Sequence, residues 1–230
     1  MTVLKTGGII KMQNVILKDY TKGEERFNWI THLVGAILAI VCFVVALVFA
    51  IKNGSPWVIV GSIVFCIMLI IMYSASTIYH ILPIGKAKKV FRVIDHCVIF
   101  LLIAGSYTPF SLVTLRELVP WVGWTILGVI WGAAILGIVL NTIDLKKFAK
   151  MSLGCYIAMG WCAILTIHLL LQGIGLTGFL LLLAGGVFYT IGAVLYALGR
   201  KKRYIHSVWH IFVILGSTFH FFTILFFVII

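Results

Sequence analysis

His206 and His210 stand four residues apart in the stretch HSVWH near the C-terminus. In a helix they project from one face, ~6 Å apart along the axis. Two neutral imidazoles so spaced can chelate one metal ion. Ser76 and His80 repeat the same spacing in SASTIYH. His80, His206 and His210 together would supply three nitrogen ligands, the usual protein share of a catalytic Zn2+ site that keeps one position open to water. Asp95 would hold that water and accept its proton. Ser76 could donate a hydrogen bond to a developing oxyanion. A lone HxxxH pair is weak evidence for any of this. What strengthens it is where the other groups fall once the chain's elements are placed.

Those elements are apolar. Of 230 residues, 63% are hydrophobic and 10% are charged, where a soluble domain would be nearer half apolar and a quarter charged. One bilayer crossing takes ~20 apolar residues. Stretches of that kind run over 28–51, 57–81, 93–114, 118–140, 151–171, 176–198 and 205–230. The sequence therefore predicts an all-α polytopic protein of the cell membrane. Residues 28–230 form a seven-transmembrane-helix bundle, preceded by a polar segment over 1–27. Pro56 and Pro120 precede the second and fourth spans, Pro83 follows the second, and Pro109 lies near the end of the third. Proline is tolerated at such borders.

The net charge is +12. In a soluble protein that excess would suggest nucleic acid, but in a membrane protein it marks cytoplasmic loops. The N-terminal segment carries Lys5, Lys11, Lys18, Lys22 and Arg26. The later basic clusters are Lys86, Lys88, Lys89 and Arg92, then Lys146, Lys147 and Lys150, then Arg200, Lys201, Lys202 and Arg203. Only Lys52 and Arg116 of the 18 Lys and Arg fall on the other side. The expected topology has a cytoplasmic N-terminus and an extracytoplasmic C-terminus, with membrane lipids and no nucleic acid as partners. That is the reverse of a G-protein-coupled receptor, and the last span lacks the lysine a retinal pigment needs.

In this topology His80 ends span two, Asp95 opens span three, and His206 and His210 open span seven. Glu25, Asn28 and His32 open span one. Four helices thus carry their polar groups to one depth, where ionisable side chains are costly unless they face a cavity or a partner. Glu25, Asn28 and His32 are expected to support the metal ligands or touch substrate, and Glu25 could also pair with a basic loop residue. His96 is turned ~100° from Asp95 around the helix. His168 falls toward the outer end of its span, and His220 lies ~20 Å deeper than His206 by helical rise. Neither should reach the same ion. The five cysteines, Cys42, Cys66, Cys97, Cys155 and Cys162, all sit in apolar stretches with no CxxC pair. They read as buried free thiols.

The stretches GEERFNWITHLVG, SASTIYH, DHCVIF, GSYTPF and HSVWH, in that order, resemble the bacterial hemolysin III proteins, within the progestin and adipoQ receptor family. The resemblance covers nearly the whole chain from about Tyr20. It implies a seven-helix core with a cytoplasmic N-terminus and a zinc near the cytoplasmic side. It implies His80, His206 and His210 as ligands, Asp95 in contact through water, and Ser76 beside them. The family is also similar to the alkaline ceramidases, which are zinc-dependent amidases of the membrane. The long tail of the animal receptors is absent here, which speaks against a receptor role.

Two functions follow as expectations. One is a zinc-dependent hydrolase cleaving an amide or ester of a long-chain acyl lipid. The other is a non-enzymatic protein, either a regulator of membrane lipid state or a hemolytic pore, in which zinc is structural or a sensor. Nearly uniform apolar spans argue against a secreted lytic pore, whose subunits would first be soluble and amphipathic. Three convincing ligands rather than four argue for an open site.

Overall fold

A computed structural model describes residues 15–198 and 202–230. Lys5, Lys11, Arg200 and Lys201 of the charge pattern lie outside the described residues. Among those described, every regular element is helical. Helix α1 (Lys22–Asn53) opens on a capping box. The Glu24 N–H donates to Thr21 Oγ1 at 3.2 Å, and the Thr21 N–H donates to the Glu24 carboxylate at 2.8 Å. Two donors that a helix start leaves unpaired are thereby satisfied, and the helix begins several residues before the apolar stretch does. It ends at Gly54, whose φ of +79° suits glycine. Pro56 then starts α2 (Pro56–Ile81) where its missing N–H removes no helical bond.

Helix α3 (Lys86–Pro109) runs on through a wide π-type turn, Phe110–Leu115, into the single turn α4 (Arg116–Leu118). Next come α5 (Pro120–Trp161), a tight turn over Cys162–Thr166, and α6 (Ile167–Leu198). The last helix, α7 (Ile205–Ile224), closes in a second π-type turn, Leu225–Ile229. Five helical runs are long and apolar enough to cross a membrane: Lys22–Asn53, Pro56–Ile81, Lys86–Leu118, Pro120–Leu198 and Ile205–Ile229.

The fourth run spans 79 residues and is not one straight rod. Its backbone leaves helical geometry at Asp144 (φ −156°, ψ 92°) and again at Gly175 (φ 66°, ψ 175°). The hydropathy reading expected a loop over 141–150. Instead the basic run is helical, because Asp144 Oδ1 accepts the Lys147 N–H at 3.0 Å and restarts the helix as a cap does. At Gly175 the positive φ is one that a side chain would oppose.

Helix α1 packs on α2, α2 on α3, α3 on α5, α6 on α7, and α7 returns to α1. Close approach of α1 to α2 depends on Gly35, where an added Cβ would stand 2.7 Å from the Tyr73 ring. The outward faces are aliphatic: Ile37, Val44, Leu136 and Leu165 are all more than half exposed. A shell of that kind matches lipid rather than water. All five cysteines are free; Cys66 and Cys97 are buried and the other three half-buried. Lys88 reaches α1 through Glu25, and Lys18, Arg92 and Lys146 border one cavity, so these basic residues share the end of the bundle that holds the histidines. Arg116 lies away from them, stacked over Trp57 at 4.4 Å.

Candidate metal centre

His80 occupies the last turn of α2, and His206 and His210 the first two turns of α7. The packing of α7 against α1 and α2 closes them into one buried cluster, with exposures of 2%, 7% and 1%. All three turn Nε2 inward. His80 Nε2 and His206 Nε2 are 3.1 Å apart, as are His206 Nε2 and His210 Nε2.

The outer nitrogens decide where the protons sit. His80 Nδ1 is 2.6 Å from Glu25 Oε2, and His210 Nδ1 is 3.2 Å from the Asn28 carbonyl oxygen. A carboxylate and a carbonyl accept, so both Nδ1 atoms donate and both Nε2 atoms present lone pairs. His206 Nε2 can bring at most one proton to two lone pairs. A cation at the centre satisfies all three nitrogens at once. Donation from the far ring nitrogen to a carboxylate or carbonyl is also how metal-bound histidines are oriented elsewhere. The three-histidine group can therefore hold a metal ion.

The supporting residues come mostly from α1. Glu25 bridges two helices, since its other oxygen accepts from Lys88 Nζ at 2.8 Å. Lys88 is 3% exposed, donates also to the Leu82 carbonyl at 2.9 Å, and lies over the Tyr79 ring. Asn28 is fully buried and its Oδ1 accepts from Ser207 Oγ at 2.7 Å. Thr31 Oγ1 stands 3.4 Å from His210 Nδ1. His32 stacks on His210 with ring centres 3.5 Å apart and meets the Tyr73 ring edge-on. Tyr73 is itself held by donation of its hydroxyl to Ser217 Oγ at 2.9 Å. Ahead of α1, the Tyr20 ring covers His80 and His206. Burial, then the neighbouring Tyr79 and Tyr196, push the Tyr20 phenol well above its ordinary range, so this cover stays neutral.

Asp95 and Ser76 are buried, at 9% and 2% exposure, and line a cavity of about 570 Å³ together with His32, His206 and His210. Neither makes a direct hydrogen bond to the three ligands. Asp95 instead stands 3.9 Å from His96 Nδ1, which donates to the Arg92 carbonyl at 2.8 Å. The cavity continues between α3, α5, α6 and α7 over mostly apolar side chains, and His220 lies at its deep end beside Tyr189. His220 and exposed His168 are outside the ligand group. Glu25, Asn28 and His32 all meet the histidines, and the pairing of Glu25 with a basic residue occurs at the same time. Lys88, Thr31, Ser207 and Tyr20 were not singled out from the sequence. Thr31 and Ser207 carried a faint signal, one turn beyond Asn28 and adjacent to His206. In the sequence Lys88 stands only as one of the basic residues that mark topology.

A family described as "Haemolysin-III related" matches residues 20–221. The chain belongs to this family. It is 42% identical over 206 residues to Hemolysin-3 of Bacillus cereus, covering 90% of this chain and 92% of that one. It is 37% identical over 208 residues to the Hemolysin-3 homolog of Bacillus subtilis (strain 168), covering 90% and 96%. A more distant likeness, 26% over 211 residues and covering 87% and 83%, is to the human monocyte to macrophage differentiation factor. These relatives fit the wider progestin and adipoQ receptor family. No solved structure matches the chain. Family and fold together make it a multi-pass protein of the cell membrane.

Proposed function

We propose that this haemolysin-III protein is a seven-span, zinc-dependent hydrolase that cleaves an amide or ester of a long-chain acyl lipid. The observation that carries the reading is the position of the three-histidine group at one end of a largely apolar cavity that also contains Asp95 and Ser76. With Zn–N bonds of ~2.0–2.1 Å, a tetrahedral zinc sets its nitrogens ~3.3 Å apart. The two 3.1 Å separations at His206 fit that within a few tenths of an ångström. The ligand group numbers three histidines, with His32 stacked on one of them, which leaves a position for water. The breaks at Asp144 and Gly175 divide the fourth run into three stretches, each long enough to cross the membrane, which favours seven spans over five. The basic residues near the histidines favour a cytoplasmic N-terminus.

Zinc, when bound, supplies Lewis acidity and a water of near-neutral pKa. The rest is the work of this chain. His80, His206 and His210 hold the ion, and Glu25 and Asn28 fix two of the rings. Asp95 takes the proton from the attacking water and returns it to the leaving amine or alcohol. Ser76 donates to the acyl oxygen as negative charge grows there. The apolar wall binds the chain and excludes bulk water. Ile164 both lines the cavity and is 55% exposed, which supports an opening on the apolar flank of the bundle and sideways entry from the bilayer.

The test is hydrolysis of N-acyl and O-acyl lipids by purified protein. Asp95→Asn should keep the metal and lose about 100- to 10,000-fold in rate. Ser76→Ala should lose about 10- to 1,000-fold. A second reading rests on the relatives' printed name, hemolysin, and on the absence of a direct bond between Asp95 and the histidines. In it the ion braces α2 against α7 in a lipid regulator or lytic protein. Activity or phenotype untouched by Asp95→Asn but abolished by His210→Ala would select that reading.

A further inference from the structure

The cavity's shallow end is charged in a way the hydrolytic groups do not use. Lys18, Arg92 and Lys146 border it, against one carboxylate, Asp95. They come from three separate segments, the stretch before α1, helix α3 and the α5 segment restarted after Asp144. Arg92 is half-buried, and its Nη1 is buried with no hydrogen-bond partner among the described residues. No ion pair with Asp95, one turn further along α3, joins it. A guanidinium so placed carries an unpaired donor in low-dielectric surroundings, a state that an anion relieves. Its planar fork suits two oxygens of one group. From Arg92 to Phe110 the α3 side of the cavity covers ~27 Å of helical rise. One leaflet is half of a ~30 Å hydrocarbon core, so the apolar part is long enough for a whole acyl chain.

We propose that this end is an anion subsite centred on Arg92 that takes the phosphate headgroup of a single-chain lipid whose tail fills the apolar cavity. The Arg92 fork and the Lys146 ammonium together offer more donors than the two oxygens of a carboxylate take up, and the three oxygens of a phosphate monoester suit them better. The inference deepens the lipid-substrate reading and needs neither metal nor turnover. Lys146 is exposed and gives the headgroup its contact with water.

The experiment is equilibrium binding to the full chain in nonionic detergent, with dodecyl phosphate, dodecanoate, monolauroylglycerol and inorganic phosphate as probes. Dodecyl phosphate should bind at least about tenfold more tightly than either other lauryl compound, as a charge-assisted contact allows. Arg92→Gln should lower its affinity about 10- to 100-fold, while Arg92→Lys should keep part of it. Neither substitution should move monolauroylglycerol. Lys146→Gln, at an exposed position, should cost dodecyl phosphate about threefold and more at low salt. Equal binding of dodecyl phosphate and monolauroylglycerol, or indifference of dodecyl phosphate to both Arg92→Gln and Lys146→Gln, would overturn the subsite. Inorganic phosphate binding as tightly as dodecyl phosphate would overturn the lipid. Charge-dependent binding of dodecyl phosphate by a protein that hydrolyses no N-acyl or O-acyl lipid would leave the subsite standing and remove only the hydrolase.

Discussion

Replacing Glu25 by Gln tests the metal centre without touching a ligand. In the native protein one oxygen of Glu25 lies 2.6 Å from His80 Nδ1 and the other 2.8 Å from Lys88 Nζ. A neutral amide has one accepting oxygen for these two donors. If it faces His80, its NH2 confronts the Lys88 ammonium; if it turns over, the NH2 confronts the His80 N–H. One buried donor loses its partner either way, at a cost of ~1–3 kcal/mol. The charge that makes His80 a stronger base toward a cation is lost in both cases. Metal affinity should fall about 10- to 100-fold, or ~1.4–2.7 kcal/mol. Chelator competition on the purified protein measures it, with elemental analysis giving zinc per chain. Lys88→Met is the control, since it breaks the other half of the bridge and leaves the Glu25 charge undivided for His80. Affinity in that variant should hold or rise slightly. The reasoning is refuted by native affinity in Glu25→Gln, or by an equal loss in Lys88→Met, because Glu25 would then act only as a strut between α1 and α3.

Elemental analysis should find about one zinc per chain in the wild type, much reduced in His80→Ala, His206→Ala or His210→Ala and retained in His168→Ala and His220→Ala. Metal stripped by His220→Ala but kept by His206→Ala would place the ion elsewhere. Gly35→Ala should lower the thermal midpoint by about 2–10 °C, because the added carbon meets a Tyr73 ring pinned by Ser217 and cannot push it aside. An unchanged midpoint would show that α1 and α2 can part locally. A reporter fused after Ile230 should register outside the cytoplasm, and one inserted after Arg203 inside it. A cytoplasmic C-terminus would undo the orientation argued from the basic residues.

Much of this molecule is written in short-range patterns. Apolar stretches of bilayer length, the Thr21–Glu24 capping box, the prolines at helix starts and the four-residue spacings of Ser76–His80 and His206–His210 each depend on a few neighbouring residues. Backbone hydrogen bonding and hydropathy act over that range, so a linear reading recovers the helices and the pair of histidines on one face. Joining His80 to that pair required a depth argument, and the helix ends carried it. Hydropathy misread the Lys146–Lys150 stretch as a loop, since a helix can continue through charged residues once Asp144 recaps it. Which carboxylate serves the ligands was beyond local reading: Glu25 reaches His80 across 55 positions, while Asp95 and Ser76 border the cavity without a hydrogen bond to the ligand nitrogens. The same holds for Lys88, turned inward from a cluster that looked like loop charge, and for Arg92, which borders the cavity with its Nη1 buried and unpaired among the described residues. These outcomes depend on how α1, α2, α3 and α7 rotate against one another. That rotation is set by close contacts such as Gly35 on Tyr73, between residues far apart in the chain, and only the packed bundle decides it.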